Sequence, residues 1–136
     1  MHFTRHEGGA TAVEFAMMLP IFLTLIFGIV VFGSYFAMIH GVQQLAAEAA
    51  RTSVAGLSDT ERNSLAQSYV TTSVADYPLL DATKVNVVAA PSSSDPNVYV
   101  VTVNYDASSS FIFTLPFVPV LPPSISRSAV IPYGGF

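Results

Sequence analysis

The stretch FAMMLPIFLTLIFGIVVFGSYFAMI, residues 15–39, decides how the rest of the chain is read. It holds no charged residue, and most of it is Phe, Leu, Ile, Val, Met or Ala. A helix needs roughly 20 such residues to cross a hydrocarbon core of ~30 Å, and this run is longer. A secretory signal peptide has an apolar core of only about 7–15 residues. No well-placed small-x-small cleavage site lies at the far end of the run. A buried core helix of this length would need a larger protein around it than 136 residues provide. The run therefore predicts a membrane-spanning helix. Pro20 near its start removes a backbone donor, which lipid tolerates where neighbouring groups compensate. Gly28 and Gly33 lack the GxxxG spacing, so they define no dimer face.

Outside this run the composition narrows the function. Apolar residues make up 51% of the chain and charged residues 10%, against about a quarter charged in an ordinary soluble domain. A net charge of −4 leaves no electrostatic footprint for nucleic acid. With no Cys there are no disulfides, thiolate zinc sites or cysteine nucleophile. Before the run stand His2, Arg5, His6 and the terminal amine, offset by Glu7, and the nearest strong cation beyond it is Arg51. This weak bias favours a cytoplasmic N-terminus.

Past the membrane run, Val42, Leu45, Ala46, Ala49 and Ala50 continue a helical stripe, with Gln43, Gln44, Glu48 and Arg51 on other faces. Gly56 is the expected stop. A helix over residues 10–55 would be roughly 70 Å long. Ser58-Asp59-Thr60-Glu61 has the spacing of a capping box and opens a second helix to about Ala75. Its packing side is Leu65, Ala66, Tyr69, Val70 and Ser73, and Tyr77-Pro78 ends it. Val85 and Val87, then Tyr99, Val101, Val103 and Tyr105, alternate with polar or outward residues across the turn-rich residues 92–97, which reads as a hairpin. A weaker third strand spans about 125–131, its apolar parity broken by Arg127. Residues 111–123 carry Pro116, Pro119, Pro122 and Pro123, which forbid a regular central strand. They are either a loop packed over the sheet or an exposed sticky or membrane-skimming one. The expected fold class is α+β: a long N-terminal transmembrane helix extending into a small head with a second helix and about three antiparallel strands.

Catalytic patterns are missing. There is no Ser-His-Asp signature, phosphate-cradling glycine loop or His-x-x-x-His pair. Three scattered His residues suit no metal site. Met17 and Met18 fit lipid contact better than copper, and Asp95 reads as a turn starter rather than as half of a calcium loop with Asp106. No enzyme activity, cofactor, metal, nucleic acid or small-molecule substrate is expected.

The acidic residue that calls for a function is Glu14, set directly against the apolar run, since an ionisable group at a membrane segment is costly and usually has a partner. Gly9, four small or apolar residues, Glu14 and Phe15 resemble the processing site of type IV pilin-like precursors. A longer match is carried by Gly9-Ala10-Thr11-Ala12-Val13-Glu14-Phe15-Ala16, Leu19-Pro20, Phe32-Gly33 and Gln44-Leu45-Ala46-Ala47-Glu48-Ala49-Ala50-Arg51. Over about residues 8–56 these resemble the TadE-like family, minor pilins or pseudopilins of the bacterial tight-adherence (Tad, or Flp) pilus machinery. Relatives usually carry more Arg before the Gly than Arg5-His6-Glu7-Gly8 supplies. They also often have an acidic residue where this chain has Val31.

The resemblance implies a pilin-like fold and a non-enzymatic role in pilus assembly and surface adherence. A prepilin peptidase would cut between Gly9 and Ala10, dividing the chain into a leader (1–9), a transmembrane and extended helix (10–56) and an extracytoplasmic head (57–136). Glu14, Phe15 and Pro20 would serve assembly and register. The implied partners are the peptidase, other pilins or pseudopilins, Tad inner-membrane assembly proteins and the lipid bilayer. The implied location is the bacterial inner membrane, crossed once, with incorporation into a surface pilus. Two alternatives are an uncleaved bitopic subunit of an envelope secretion complex and a membrane-tethered adhesive head.

Overall fold

The structure, a computed structural model, describes residues 7–116 and 119–132. His2, Arg5 and His6, together with Phe117 and Val118 of the proline-rich stretch, lie outside the described residues. One long helix, α1 (Glu7–Ser53), is followed by α2 (Asp59–Ser73) and three strands, β1 (Val85–Pro91), β2 (Val98–Asp106) and β3 (Ser124–Pro132). The fold is α+β with a long N-terminal helix, as expected.

The 47 residues of α1 make a rod of roughly 70 Å. It starts earlier than expected, taking in Gly8 and Gly9, and ends at Ser53, short of the expected Ala55. Tight i→i−3 bonds close the end: the amides of Val54, Ala55 and Gly56 donate to Arg51, Thr52 and Ser53 at 3.3, 3.4 and 3.1 Å. Gly56 matters for space rather than for a left-handed backbone. A Cβ there would lie 2.7 Å from the Arg62 amide nitrogen.

The capping box forms with one change. Ser58 Oγ accepts from the Glu61 amide at 3.2 Å, while the Glu61 carboxylate reaches back to the Leu57 amide at 2.9 Å instead of to that of Ser58. Ala66, Val70 and the following Val74 are buried, and Leu65, Tyr69 and Ser73 are half-buried, so the expected packing side of α2 is the observed one.

The sheet has the order β1-β2-β3, all antiparallel, with Val87 opposite Val103 and Tyr105 opposite Ile125. Along β2 the burial alternates, with Tyr99, Val101, Val103 and Tyr105 inward. This period-2 face packs with α1 and α2 into one core containing Val42, Leu45, Ala46, Ala49 and Ala50 of α1. On β3, Ile125 is buried and Arg127, Ala129 and Ile131 are half-buried on the same parity, so Arg127 sits at the margin of the core without ending the strand.

Two contacts fix the two ends of the head. At the far end from the N-terminus, the Tyr99 hydroxyl donates to the Asp59 carbonyl at 3.1 Å, and the Arg62 guanidinium lies 5.9 Å from the Tyr99 ring centroid. At the near end a Cβ on Gly41 would meet Tyr77 Cδ1 at 3.1 Å and Leu80 Cδ1 at 3.2 Å, a close approach that favours glycine. The residue 92–97 turn therefore lies at the distal tip. The β2–β3 connection lies at the base, facing along α1 toward the apolar run.

Candidate functional site

Gly9, Ala10, Glu14, Phe15 and Pro20 all lie on exposed surface in the N-terminal third of α1. Gly9 is in the opening turns, and a Cβ there would meet nothing within 4 Å. Ala10 and Glu14 are four residues apart, which puts them on one helical face about 5–6 Å apart between Cβ atoms. Among the described residues Glu14 has no hydrogen bond or ion pair within the chain. Pro20 carries no N–H, so the Ala16 carbonyl lacks its usual helical partner. The Thr24 hydroxyl, one turn on, donates to the Pro20 carbonyl at 2.8 Å.

The apolar run around these residues is bare. Its most hydropathic window of 18 residues averages 2.6, and only 6% of that window is buried. The core helix of a soluble protein has the reverse property. Leaving a Leu, Ile, Phe or Met side chain in water forgoes about 1.5–3 kcal/mol each, and Phe15, Met17, Met18, Ile21, Phe22, Leu25 and Ile29 are all exposed. These side chains need lipid or neighbouring helices around them.

The run is not uniform, and sequence reasoning missed this. From Val31 onward one face of α1 is covered by the head. Val31, Tyr35, Met38, Val42, Leu45 and Ala49, at alternating steps of four and three, form a single inward stripe. Val31 is 1% exposed although it stands in the middle of the membrane-like sequence. A signal was present in this heptad-like spacing and in the hydroxyl of Tyr35, but an all-apolar background hides periodicity. A carboxylate at position 31 would need a partner beneath the head, so Val fits this chain.

The proline-rich stretch supplies part of that cover. Residues Phe111–Thr114 form a 3-10 turn with Ile112 buried, and Phe113, Leu115 and Leu121 pack against the core. The Tyr35 hydroxyl donates to the Pro122 carbonyl at 2.9 Å. The described part of this segment thus packs against the core, as in the first sequence reading, and it also carries Val120 fully exposed. Beside it the Asp81 amide donates to the Tyr105 hydroxyl oxygen at 3.2 Å. Hydrogen bonds from the Thr83 hydroxyl and amide hold the Asp81 carboxyl below the usual carboxylate range, and bonds from Ser108 do the same for Asp106.

A hollow of about 600 Å³ opens between α2 and β1, with Lys84 and Asp106 as its charged lining groups. Among the described residues no three His, Cys, Asp or Glu gather as a metal site. Asp95 and Asp106 stand at opposite ends of β2, each accepting a bond from an amide two residues on. They cannot share a calcium ion.

The architecture is that of a small α+β head on one long apolar helix, which fits a protein crossing a membrane once. The family model described as TadE-like protein matches residues 9–51, so the sequence of the N-terminal helix is TadE-like. No curated protein and no solved structure matches the chain.

Proposed function

We propose that the protein is a non-enzymatic minor pilin or pseudopilin of a Tad pilus, matured by a prepilin peptidase. The observation that carries this reading is the TadE-like match that begins at Gly9 and covers most of α1, whose most apolar stretch is bare of cover. Residues 1–9 are the leader, residues 10–56 the membrane and assembly helix, and residues 57–136 an extracytoplasmic head that serves adherence. The N-terminus lies in the cytoplasm and the helix crosses the inner membrane.

Cleavage between Gly9 and Ala10 requires the backbone there to leave the helix and extend. Two features make this cheap: the amides of a first turn have no intrahelical acceptor, and Gly8 and Gly9 each disfavour helix by about 1 kcal/mol relative to Ala. The new amine on Ala10 then lies one turn from Glu14. In low dielectric a lone carboxylate is costly, and pairing with that amine, in the same chain or a neighbour, offsets part of the cost and sets axial register. Other pilins, and the inner-membrane assembly proteins that handle them, are the partners this surface suits. Within a filament the side chains that face lipid before assembly face neighbouring helices.

N-terminal sequencing of the protein from its native host tests the reading. The mature chain is expected to begin at Ala10, and Gly9→Leu to abolish processing. An intact Met1 terminus in assembled material would overturn it in favour of an uncleaved membrane subunit.

A further inference from the structure

The proline-rich segment at the base of the head has no place in the reading above, yet its height along α1 is set by a defined contact. Pro122 is tied to Tyr35, and Leu121 packs against the same core as Val31. Tyr35 lies roughly 30 Å along the helix from Phe15, about the thickness of a hydrocarbon core.

The uncovered face of α1 locates the membrane boundary independently. Phe32, at 43% exposure, and Phe36, at 57%, are one turn apart on that face beside Tyr35. Ala37 is exposed as well, and the exposed residues turn polar only at His40, Gln43 and Gln44. The apolar-to-polar change therefore falls between Ala37 and His40, farther along α1 than the point where the segment is fastened.

We infer that residues 119–123 lie in the head-side leaflet of the bilayer, with Val120 inserted at the boundary between headgroups and acyl chains. The inference rests on α1 crossing the membrane. It does not depend on which side the head occupies.

The chemistry of the segment suits that position. Val120 is 103% exposed, so no described residue shields its side chain from water. Pro119, Pro122 and Pro123 have no N–H, so this backbone brings few donors that would lie unsatisfied in an apolar layer. The Pro122 carbonyl is bonded to Tyr35, and the Pro123 carbonyl accepts from the Ala107 amide at 2.7 Å. Tyr35 itself has the amphipathic ring favoured where hydrocarbon meets water. The head would thus rest on the membrane at a second point beside α1, which restrains its tilt.

Because the chain has no cysteine, single labels are straightforward. Full-length Val120→Cys, Leu25→Cys and Ser93→Cys proteins would be labelled with an environment-sensitive fluorophore. Each would be reconstituted at low density in phosphatidylethanolamine–phosphatidylglycerol vesicles containing lipids that bear a nitroxide near the carbonyl or at the chain end. The label at position 120 is expected to lose most of its emission to the shallow nitroxide and less to the deep one. Position 25 is expected to show the opposite order, and position 93, at the distal tip, to show no loss. Absence of quenching at 120 with normal quenching at 25 would overturn the insertion and leave the span intact. Absence at both would overturn the span and the insertion together. Emission at 120 that responds to protein density and not to the nitroxide lipids would overturn the inference by showing that another protein copy covers Val120.

Discussion

Glu14 and Gly56 show how differently single residues act in this chain. Glu14 touches nothing that holds the head together, so its substitution should leave folding untouched. Glu14→Ala is expected to insert normally and to keep the protease resistance of the head, while its recovery in sheared pili or cross-linked assembly complexes falls. Wild-type recovery would reduce Glu14 to an interfacial residue with no part in register. Gly56 is the converse, with no exposed chemistry and no room. A Cβ 2.7 Å from the Arg62 amide nitrogen cannot be absorbed by turning a side chain, because the obstacle is backbone at the start of α2. Gly56→Ala should cost about 1–3 kcal/mol, the usual range for overpacking, read as a lower midpoint in thermal unfolding of the detergent-solubilised protein.

At the scale of elements, α1 and α2 are held together by small side chains. Ala46, Ala49, Ala50 and Ser53 of α1 and Ala66 of α2 are all buried, which brings the two backbones close. The ion pairs Arg51–Glu48 and Arg62–Asp59 each lie within a single helix, and the exposed Arg51–Glu48 pair adds little. Stability of α2 should instead depend on its cap and its packing. Ser58→Ala removes the hydroxyl that accepts from Glu61 and should cost about 1 kcal/mol. Ala66→Leu should cost about 1–3 kcal/mol by forcing the helices apart. Hydrogen exchange on α2 amides would separate the two, since loss of the cap frays the first turn and overpacking loosens the whole helix. Both elements were legible beforehand. The capping box stands in four consecutive residues, and the alternation of β2 survives because one face meets the core and the other meets water.

For the whole molecule, the proposed orientation sets the exposure of each part. Protease added to spheroplasts should digest the head of the unassembled protein, and protection of the head would reverse the orientation. The sequence by itself determined that one long apolar helix precedes an α+β head, because hydrophobic length, capping residues and period-2 alternation act locally along the chain. It also carried the TadE-like pattern around Gly9 and Glu14, which depends on residue identity and spacing alone. Only the tertiary structure decided where the bare rod ends and the covered rod begins. Val31 and Phe32 are equally apolar neighbours, yet Val31 is buried under the head and Phe32 is left exposed. The difference comes from the return of a segment 87 residues farther along, whose Pro122 carbonyl meets Tyr35. No local pattern encodes that contact: within an all-apolar run every face looks ready for burial, and the packing of the head selects which one is covered.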